Sequence, residues 1–184
     1  MPDASLAWAA RWRVPIGFLL AAGYFYFARP TPQVLPAGAA LAAVGIALRA
    51  LAAGYLQKGE GLSRSGPYAY VRHPLYLGSG FLVAGFALAA GRLWLAVVLV
   101  AFFVAIYFPV MVREEAEMRA AFPNQYAAYA AAVPRLLPSL RRPAGGGGGA
   151  RFDWQLYWRN REYKALLGYL AALALLYLRM VFPR

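Results

Sequence analysis

The sequence predicts an all-α fold: a polytopic membrane helix bundle of about five transmembrane helices, with an amphipathic helix on its cytoplasmic face. Three observations predict it. Of 184 residues, 62% are hydrophobic and 14% charged, where a soluble domain runs to about half apolar and about a quarter charged. The apolar residues fall into runs close to the length a helix needs to cross a hydrocarbon core roughly 30 Å thick. The 5 Trp, 13 Tyr and 11 Phe gather toward the ends of those runs, at the headgroup level that amphipathic rings prefer.

The first run spans Val14–Ala28, with Pro15 suited to a first helical turn and Arg29-Pro30-Thr31-Pro32 closing it. Val34–Leu56 is the second. The third, Leu75–Ala90, ends at Gly91-Arg92, and the fourth, Leu93–Val112, is the most hydrophobic. Beyond it, Met118, Phe122, Tyr126 and Tyr129 recur at three- and four-residue steps. That period predicts one amphipathic helix over Glu114–Ala132, ended by Pro134 and Pro138. A second amphipathic stretch, Arg151–Lys164, leads into the fifth run, Ala165–Phe182. Gly38, Ala42 and Gly45, and Gly80 and Gly85, are small residues at the spacing that lets helices approach closely in lipid.

Orientation follows from Lys and Arg. With the N-terminus inside, the cytoplasmic segments hold 14 of the 19 basic residues and the outer segments hold 4, Arg29, Arg92, Arg179 and Arg184. The positive-inside bias therefore places the N-terminus and both long polar segments in the cytoplasm. Arg49 lies within the second run, and its plain reading is snorkelling toward the inner headgroups. The formal charge of +12 flanks apolar runs instead of forming a basic face, which argues against nucleic acid and for a membrane. Arg11 and Arg13 precede the first run without a small-residue cleavage site, so that run reads as a retained helix. Disulfides, thiolate metal sites and cysteine nucleophiles are excluded by the lack of Cys. A histidine-rich metal centre is excluded by there being a single His.

Composition also divides the chain. Residues 1–143 form the membrane core, residues 144–150 contain the five-glycine run Gly145–Gly149 and read as a flexible linker, and residues 151–184 form a C-terminal unit.

Two polar clusters stand out: Gly66-Pro67-Tyr68-Ala69-Tyr70-Val71-Arg72-His73-Pro74-Leu75-Tyr76-Leu77-Gly78-Ser79-Gly80, and Arg113-Glu114-Glu115. Both fall at the cytoplasmic mouth of the bundle, where they can line one pocket. His73 precedes a proline, so its backbone is pushed out of the helical region, and Pro74 suits the first turn of the third helix. The free N–H groups there favour a carboxylate or phosphate. Gly78 and Gly80 permit close approach of a ligand or a helix. Glu114 and Glu115 are costly near a membrane unless Arg113, Arg72 or a cationic ligand pairs with them. Singly, each feature has an ordinary structural use: a cap, a solvated terminus, a snorkelling arginine.

Their order is more specific. Gly-Pro-Tyr, Arg-His-Pro-x-Tyr-x-Gly, one membrane hairpin, Glu-Glu, then Phe122, Tyr126, Tyr129, Val133-Pro134 and Pro138 resemble the isoprenylcysteine carboxyl methyltransferases. The phospholipid (phosphatidylethanolamine) N-methyltransferases belong to the same integral-membrane superfamily. The resemblance covers roughly residues 62–138. It implies S-adenosylmethionine as cofactor, held by Tyr68, His73, Pro74, Leu75 and Tyr76. Gly78 and Gly80 match the Gly-x-Gly of the phospholipid branch, and Glu114 and Glu115 match the acidic pair that engages the cofactor's polar groups. At one position the chain departs: the carboxyl methyltransferase branch commonly has Arg four residues before the first Glu, and here that residue is Val110.

The expected reaction is methyl transfer to a lipophilic acceptor, either an isoprenylcysteine-like carboxylate or a phospholipid amine. Alignment of nucleophile, methyl and sulfur is then the main task of the protein. A carboxylate is already ionised, and Arg72 or Arg135 would steer it. An amine must lose a proton, which Glu115 would take. A non-catalytic chain that retains the fold is the alternative from another class. Oligomeric state is left open.

Overall fold

The computed structural model describes residues 4–57, 61–139 and 151–183. Among the described residues it has seven α-helices and no strand. They are α1 (Ala4–Phe27), α2 (Val34–Ala53), α3 (Pro74–Ala89), α4 (Leu93–Ala121), α5 (Pro123–Ala132), α6 (Trp154–Arg159) and α7 (Tyr163–Val181). A 3-10 turn, Gly66–Ala69, precedes α3. The all-α membrane bundle expected from hydropathy is what the chain forms. The glycine-rich segment Gly145–Gly149 lies outside the described residues.

Among the described residues three helices, α2, α4 and α7, are long and apolar enough to cross a bilayer. The apolar part of α1, Ile16–Phe27, and the whole of α3 are shorter; at 1.5 Å per residue, α3 reaches about 24 Å. Large apolar side chains along α4 (Leu93, Val97, Val100, Val104, Phe108) and α7 (Leu167, Leu170, Leu175, Leu178) are exposed. In a bundle of this hydropathy those faces meet lipid.

The tightest contact is between α2 and α3. A Cβ on Gly38 would sit 2.5 Å from the Gly85 carbonyl oxygen, and one on Gly45 the same distance from the Gly78 carbonyl oxygen. Backbones this close gain dispersion that larger residues would forbid. At the far end from the polar clusters, Tyr24, Leu35, Ala89, Ala90, Leu95 and Leu176 close a small apolar core. There the Tyr24 hydroxyl donates to the Phe86 carbonyl (2.7 Å). The α3–α4 turn runs through Gly91, whose φ of 63° and close approach to the Arg29 carbonyl exclude a side chain.

Two expected elements differ. The amphipathic helix expected over Glu114–Ala132 is not one helix. Instead α4 continues unbroken to Ala121, and α5 restarts at Pro123 after Phe122 adopts φ −134° and ψ 61°. A residue before proline is driven out of the helical region, so Pro123 sets the break. Glu114 and Glu115 therefore lie inside a helix and not at its end. The stretch Arg151–Lys164 is likewise not one amphipathic helix. It holds the short α6, capped by the Asp153 carboxylate accepting from the Gln155 N–H (2.7 Å), then a turn in which Arg161 takes φ 57°, and then the start of α7 at Tyr163.

Candidate active site

The site begins with backbone pairing. After α5 the chain runs back along the segment that precedes α3. The Arg72 N–H donates to the Pro134 carbonyl (2.8 Å), His73 N–H to the Arg135 carbonyl (3.2 Å) and Ser139 N–H to the Tyr70 carbonyl (2.9 Å). Tyr129 adds its hydroxyl to the Tyr68 carbonyl (2.7 Å). Tyr126, Tyr129 and Val133 are buried against Leu62, Phe122 and Ala130. The tyrosines and prolines after the acidic pair thus clamp the Arg-His-Pro segment in place and bring Arg135 beside it. His73 has φ −122° and ψ 63°, outside the helical region as the following proline requires, and Pro74 occupies the first turn of α3.

Glu115 is the hub. Its carboxylate accepts from Arg135 Nε (2.8 Å) and Nη2 (2.7 Å) in a bidentate pair and from His73 Nε2 (3.0 Å), and it lies 3.2 Å from Arg72 Nη1. The side chain is 8% exposed. Arg72 Nη1 also donates to the Tyr126 hydroxyl (3.2 Å). A buried carboxylate is tolerated when it is paired and hydrogen-bonded this fully. Glu114 differs: it is 41% exposed and accepts from the Tyr76 hydroxyl (2.6 Å). Arg113 points elsewhere, pairing on the surface with Glu117 at 3.3 Å.

Burial holds the His73 imidazole below its ordinary range, and Arg72 adds to this, while the hydrogen bond and charge of Glu115 and the charge of Glu114 oppose it. The ring is therefore neutral at pH 7. Since a carboxylate can only accept, Nε2 carries the proton and Nδ1 presents its lone pair, 3.9 Å from Glu114 Oε2. Burial also pushes the Tyr68 and Tyr129 hydroxyls up, keeping both protonated. The hydrogen bond to Glu115 raises Arg135.

The His73 shift gives a stability prediction. Below the ordinary value of 6.5, the unfolded chain takes up a proton that the folded chain resists. Stability is then fully present above that pH and is lost as pH falls through it. The thermal midpoint of detergent-purified protein should fall on acidification from pH 7 to 5.5. It should fall less in His73→Asn, measured by scanning fluorimetry.

These groups line a cavity of about 570 Å³ together with Tyr68, Pro74, Leu75, Tyr107, Met118, Arg49 and Glu162. That is within the ~300–1,000 Å³ usual for small-molecule sites. Of the residues expected to hold a cofactor, Tyr68, His73, Pro74, Leu75, Tyr76, Glu114 and Glu115 meet here. Arg72 lines the same cavity. Arg135 does not; it stands behind Glu115, facing a second, open recess of about 490 Å³ with Val112 and Arg119. Gly78 and Gly80 also lie off the cavity. Gly78 packs on Arg49 and on the Gly45 carbonyl, whereas the nearest atoms to a Cβ on Gly80 are 3.8 Å away on Phe103.

Arg49 does not snorkel. It forms a bidentate pair with Glu162, through Nε to Oε2 (3.0 Å) and Nη2 to Oε1 (2.8 Å), and Nη1 donates to Ser79 Oγ. An intramembrane arginine calls for such a partner, but nothing in local spacing names one 113 residues away. Tyr107, another cavity residue that motif reading passes over, stacks edge-on against Tyr76 at 5.4 Å.

A family model described as phospholipid methyltransferase matches residues 33–125, which include α2, α3, the Arg-His-Pro turn and the acidic pair. The chain is also similar to the cobalt-zinc-cadmium resistance protein CzcN of Cupriavidus metallidurans, 33% identical over 139 residues. The match covers 70% of this chain and 62% of that protein. The chain therefore spans about three fifths of that relative's length. No solved structure matches it. With half its length matched, and with the matched half holding the buried acidic hub, the chain belongs to the phospholipid methyltransferase family of integral membrane proteins.

Proposed function

We propose that the chain is an S-adenosylmethionine-dependent membrane methyltransferase whose acceptor is the amine of a lipophilic molecule, an aminophospholipid being the first candidate. The observation that carries the choice of acceptor is how charge is divided at the cavity. Of the guanidinium groups that a carboxylate acceptor would need, Arg135 is held by Glu115 through two bonds and lies off the cavity, and Arg72 is turned to Glu115 and Tyr126 through Nη1, with its unpartnered Nε the place for the cofactor's own carboxylate. Of the acidic pair, the carboxylate left open to the cavity is Glu114, with His73 Nδ1 beside it. An acidic, aromatic pocket mouth recognises an ammonium better than a carboxylate. Val110, where a carboxylate-binding arginine would stand, points the same way. Carboxyl O-methylation of an isoprenylcysteine, the reaction the motif order favours by itself, would require Arg135 to leave Glu115.

The residues also fit the cofactor. Arg72 Nε is the one buried side-chain polar atom without a partner among the described residues, and it belongs to a residue of the cavity wall. Buried donors are rarely left unsatisfied, and the carboxylate of S-adenosylmethionine would satisfy this one. The Tyr76 hydroxyl oxygen offers an acceptor for its amino or ribose groups.

When bound, the cofactor supplies an activated methyl group that needs no covalent help. The chain's own residues then have two tasks. Glu114 holds the acceptor's ammonium at the cavity mouth. His73 Nδ1 takes the proton that the ammonium must lose before its lone pair can form the new C–N bond as the C–S bond breaks. A neutral imidazole is the right base for this near pH 7. Glu115 is a poor base, because both its oxygens are already engaged; it and Arg135 hold His73 and Arg72 in register. The site faces the cytoplasm, as the basic residues imply, and the lipid reaches it sideways between helices.

Purified protein should bind S-adenosylmethionine saturably in calorimetry. Lipid mass spectrometry should find methylated aminophospholipid and no prenylcysteine methyl ester. The ester without the amine product would overturn the choice of acceptor. No binding to folded protein would leave a chain that keeps the fold without the chemistry.

A further inference from the structure

The C-terminal unit lies wholly outside the segment that matches the family, residues 33–125, yet one of its side chains lines the central cavity. Glu162, at the start of α7, is a wall residue beside Arg49. We infer that Glu162 is a positioning residue: through Arg49 and Ser79 it fixes the first turn of α3, and the unit of residues 151–183 is thereby a required wall of the cofactor cavity. The inference rests on the cofactor assigned above, and its test separates the two.

The connection can be followed atom by atom. Glu162 accepts two hydrogen bonds from Arg49 on α2 and is 10% exposed. Arg49 Nη1 donates to Ser79 Oγ, and Ser79 donates to the Leu75 carbonyl (3.0 Å). Leu75 stands between Pro74 and Tyr76, all three of which line the cavity. The side chain of Arg49 also runs against Gly78, where a Cβ would come within 2.7 Å of its Cγ. The guanidinium is therefore confined between α2, α3 and Glu162.

The rest of the unit docks on α2 and the segment just after it. Asn160 Nδ2 donates to the Ala53 carbonyl (2.9 Å), which also accepts from the Leu56 N–H (3.3 Å), and to the Leu56 carbonyl (3.1 Å) just past the end of α2. The Asp153 N–H donates to the Gly54 carbonyl (3.0 Å). Phe152 lies against Gly54, which has no room for a side chain there, and meets Tyr55 edge-on at 6.2 Å. Further along, the Tyr169 hydroxyl donates to the Ala39 carbonyl (3.0 Å). Breaking the Arg49–Glu162 pair strands a charge that is out of water, which costs far more than an exposed pair would.

The chain has no cysteine, so spin labels can be placed at will. Labels at Gln57, just after α2, and Gln155, on α6, report docking without any ligand. The distance distribution should be narrow in the parent and broad in Glu162→Gln. The dissociation constant for S-adenosylmethionine should rise at least about tenfold in that variant, a 1.4 kcal/mol loss. Glu162→Asp should fall between. The exchange Arg49→Glu with Glu162→Arg should restore a narrow distribution if the pair, and not its individual members, does the docking. An unchanged distribution and affinity in Glu162→Gln would overturn the inference. So would a broadened distribution with unchanged affinity, since the unit would then be no wall of the site. If the parent itself binds no S-adenosylmethionine, the cofactor assignment fails, while the labels still decide whether the pair docks the unit.

Discussion

Replacing Glu115 by Ala should lower stability by about 3–5 kcal/mol, the usual cost of removing one partner from a buried charged network. Arg72, 14% exposed, and His73, 10% exposed, would keep their places with no anion to face. Arg135 would lose both of its charge-assisted bonds. Affinity for S-adenosylmethionine should fall at least about a hundredfold, because Arg72 and the His73 turn are cavity walls held by that carboxylate. Glu115→Gln keeps the shape but loses the charge, and should recover only part of the stability. Glu114→Gln, one residue earlier, should do the reverse. Its carboxylate is 41% exposed with one tyrosine hydroxyl on it, so the thermal midpoint should barely move while methyl transfer falls sharply. Scanning fluorimetry and calorimetry on the three variants decide it. Equal effects of the two glutamates on stability would remove the distinction between hub and open carboxylate.

That distinction is invisible to the sequence, where the two glutamates are neighbours with the same motif value. What separates them is helical phase. Because α4 continues through Ala121, successive residues turn about 100° apart, so Glu115 faces Arg135 and His73 and Glu114 faces Tyr76. The spans were legible because lipid demands long apolar runs. The break at Phe122 was available from Pro123, though the three- and four-residue period carried on through it and obscured it. The part of the cavity wall built from Tyr68 to Tyr76 and the acidic pair was legible as well, since the first is one continuous stretch and the second follows one hairpin later. Arg135 was legible only as a candidate, because its role depends on a backbone pairing between residues 72–73 and 134–135 that no periodicity announces. Glu162 was not legible at all. Its partner Arg49 lies 113 residues away, and the segment between them includes the glycine run that, by composition, sets residues 151–184 apart as a separate unit.

The glycines give the second large effect. The resemblance treats Gly78 and Gly80 alike, as parts of one Gly-x-Gly. Geometry treats them differently. A Cβ on Gly78 would meet Arg49 Cγ at 2.7 Å and the Gly45 carbonyl oxygen at 2.8 Å; on Gly80 it would meet nothing closer than 3.8 Å. Gly85 is tighter still, with the Ala42 nitrogen and the Gly38 carbonyl oxygen both at 2.5 Å. Those atoms are backbone, so neither α2 nor α3 can yield without moving as a whole. Gly85→Ala should therefore cost about 3 kcal/mol, the upper end of ordinary overpacking, and should abolish recovery of folded protein at 37 °C. Gly78→Ala should cost somewhat less, because the flexible Arg49 stem can shift, but it should also weaken cofactor binding by disturbing the pair with Glu162. Gly80→Ala should leave the affinity unchanged and the thermal midpoint unchanged or slightly raised, since Ala gains up to ~1 kcal/mol of helix propensity over Gly. A large loss of affinity in Gly80→Ala with an unchanged midpoint would return that glycine to the cofactor, and would mean that the cavity extends along α3 toward Phe103 when it is filled.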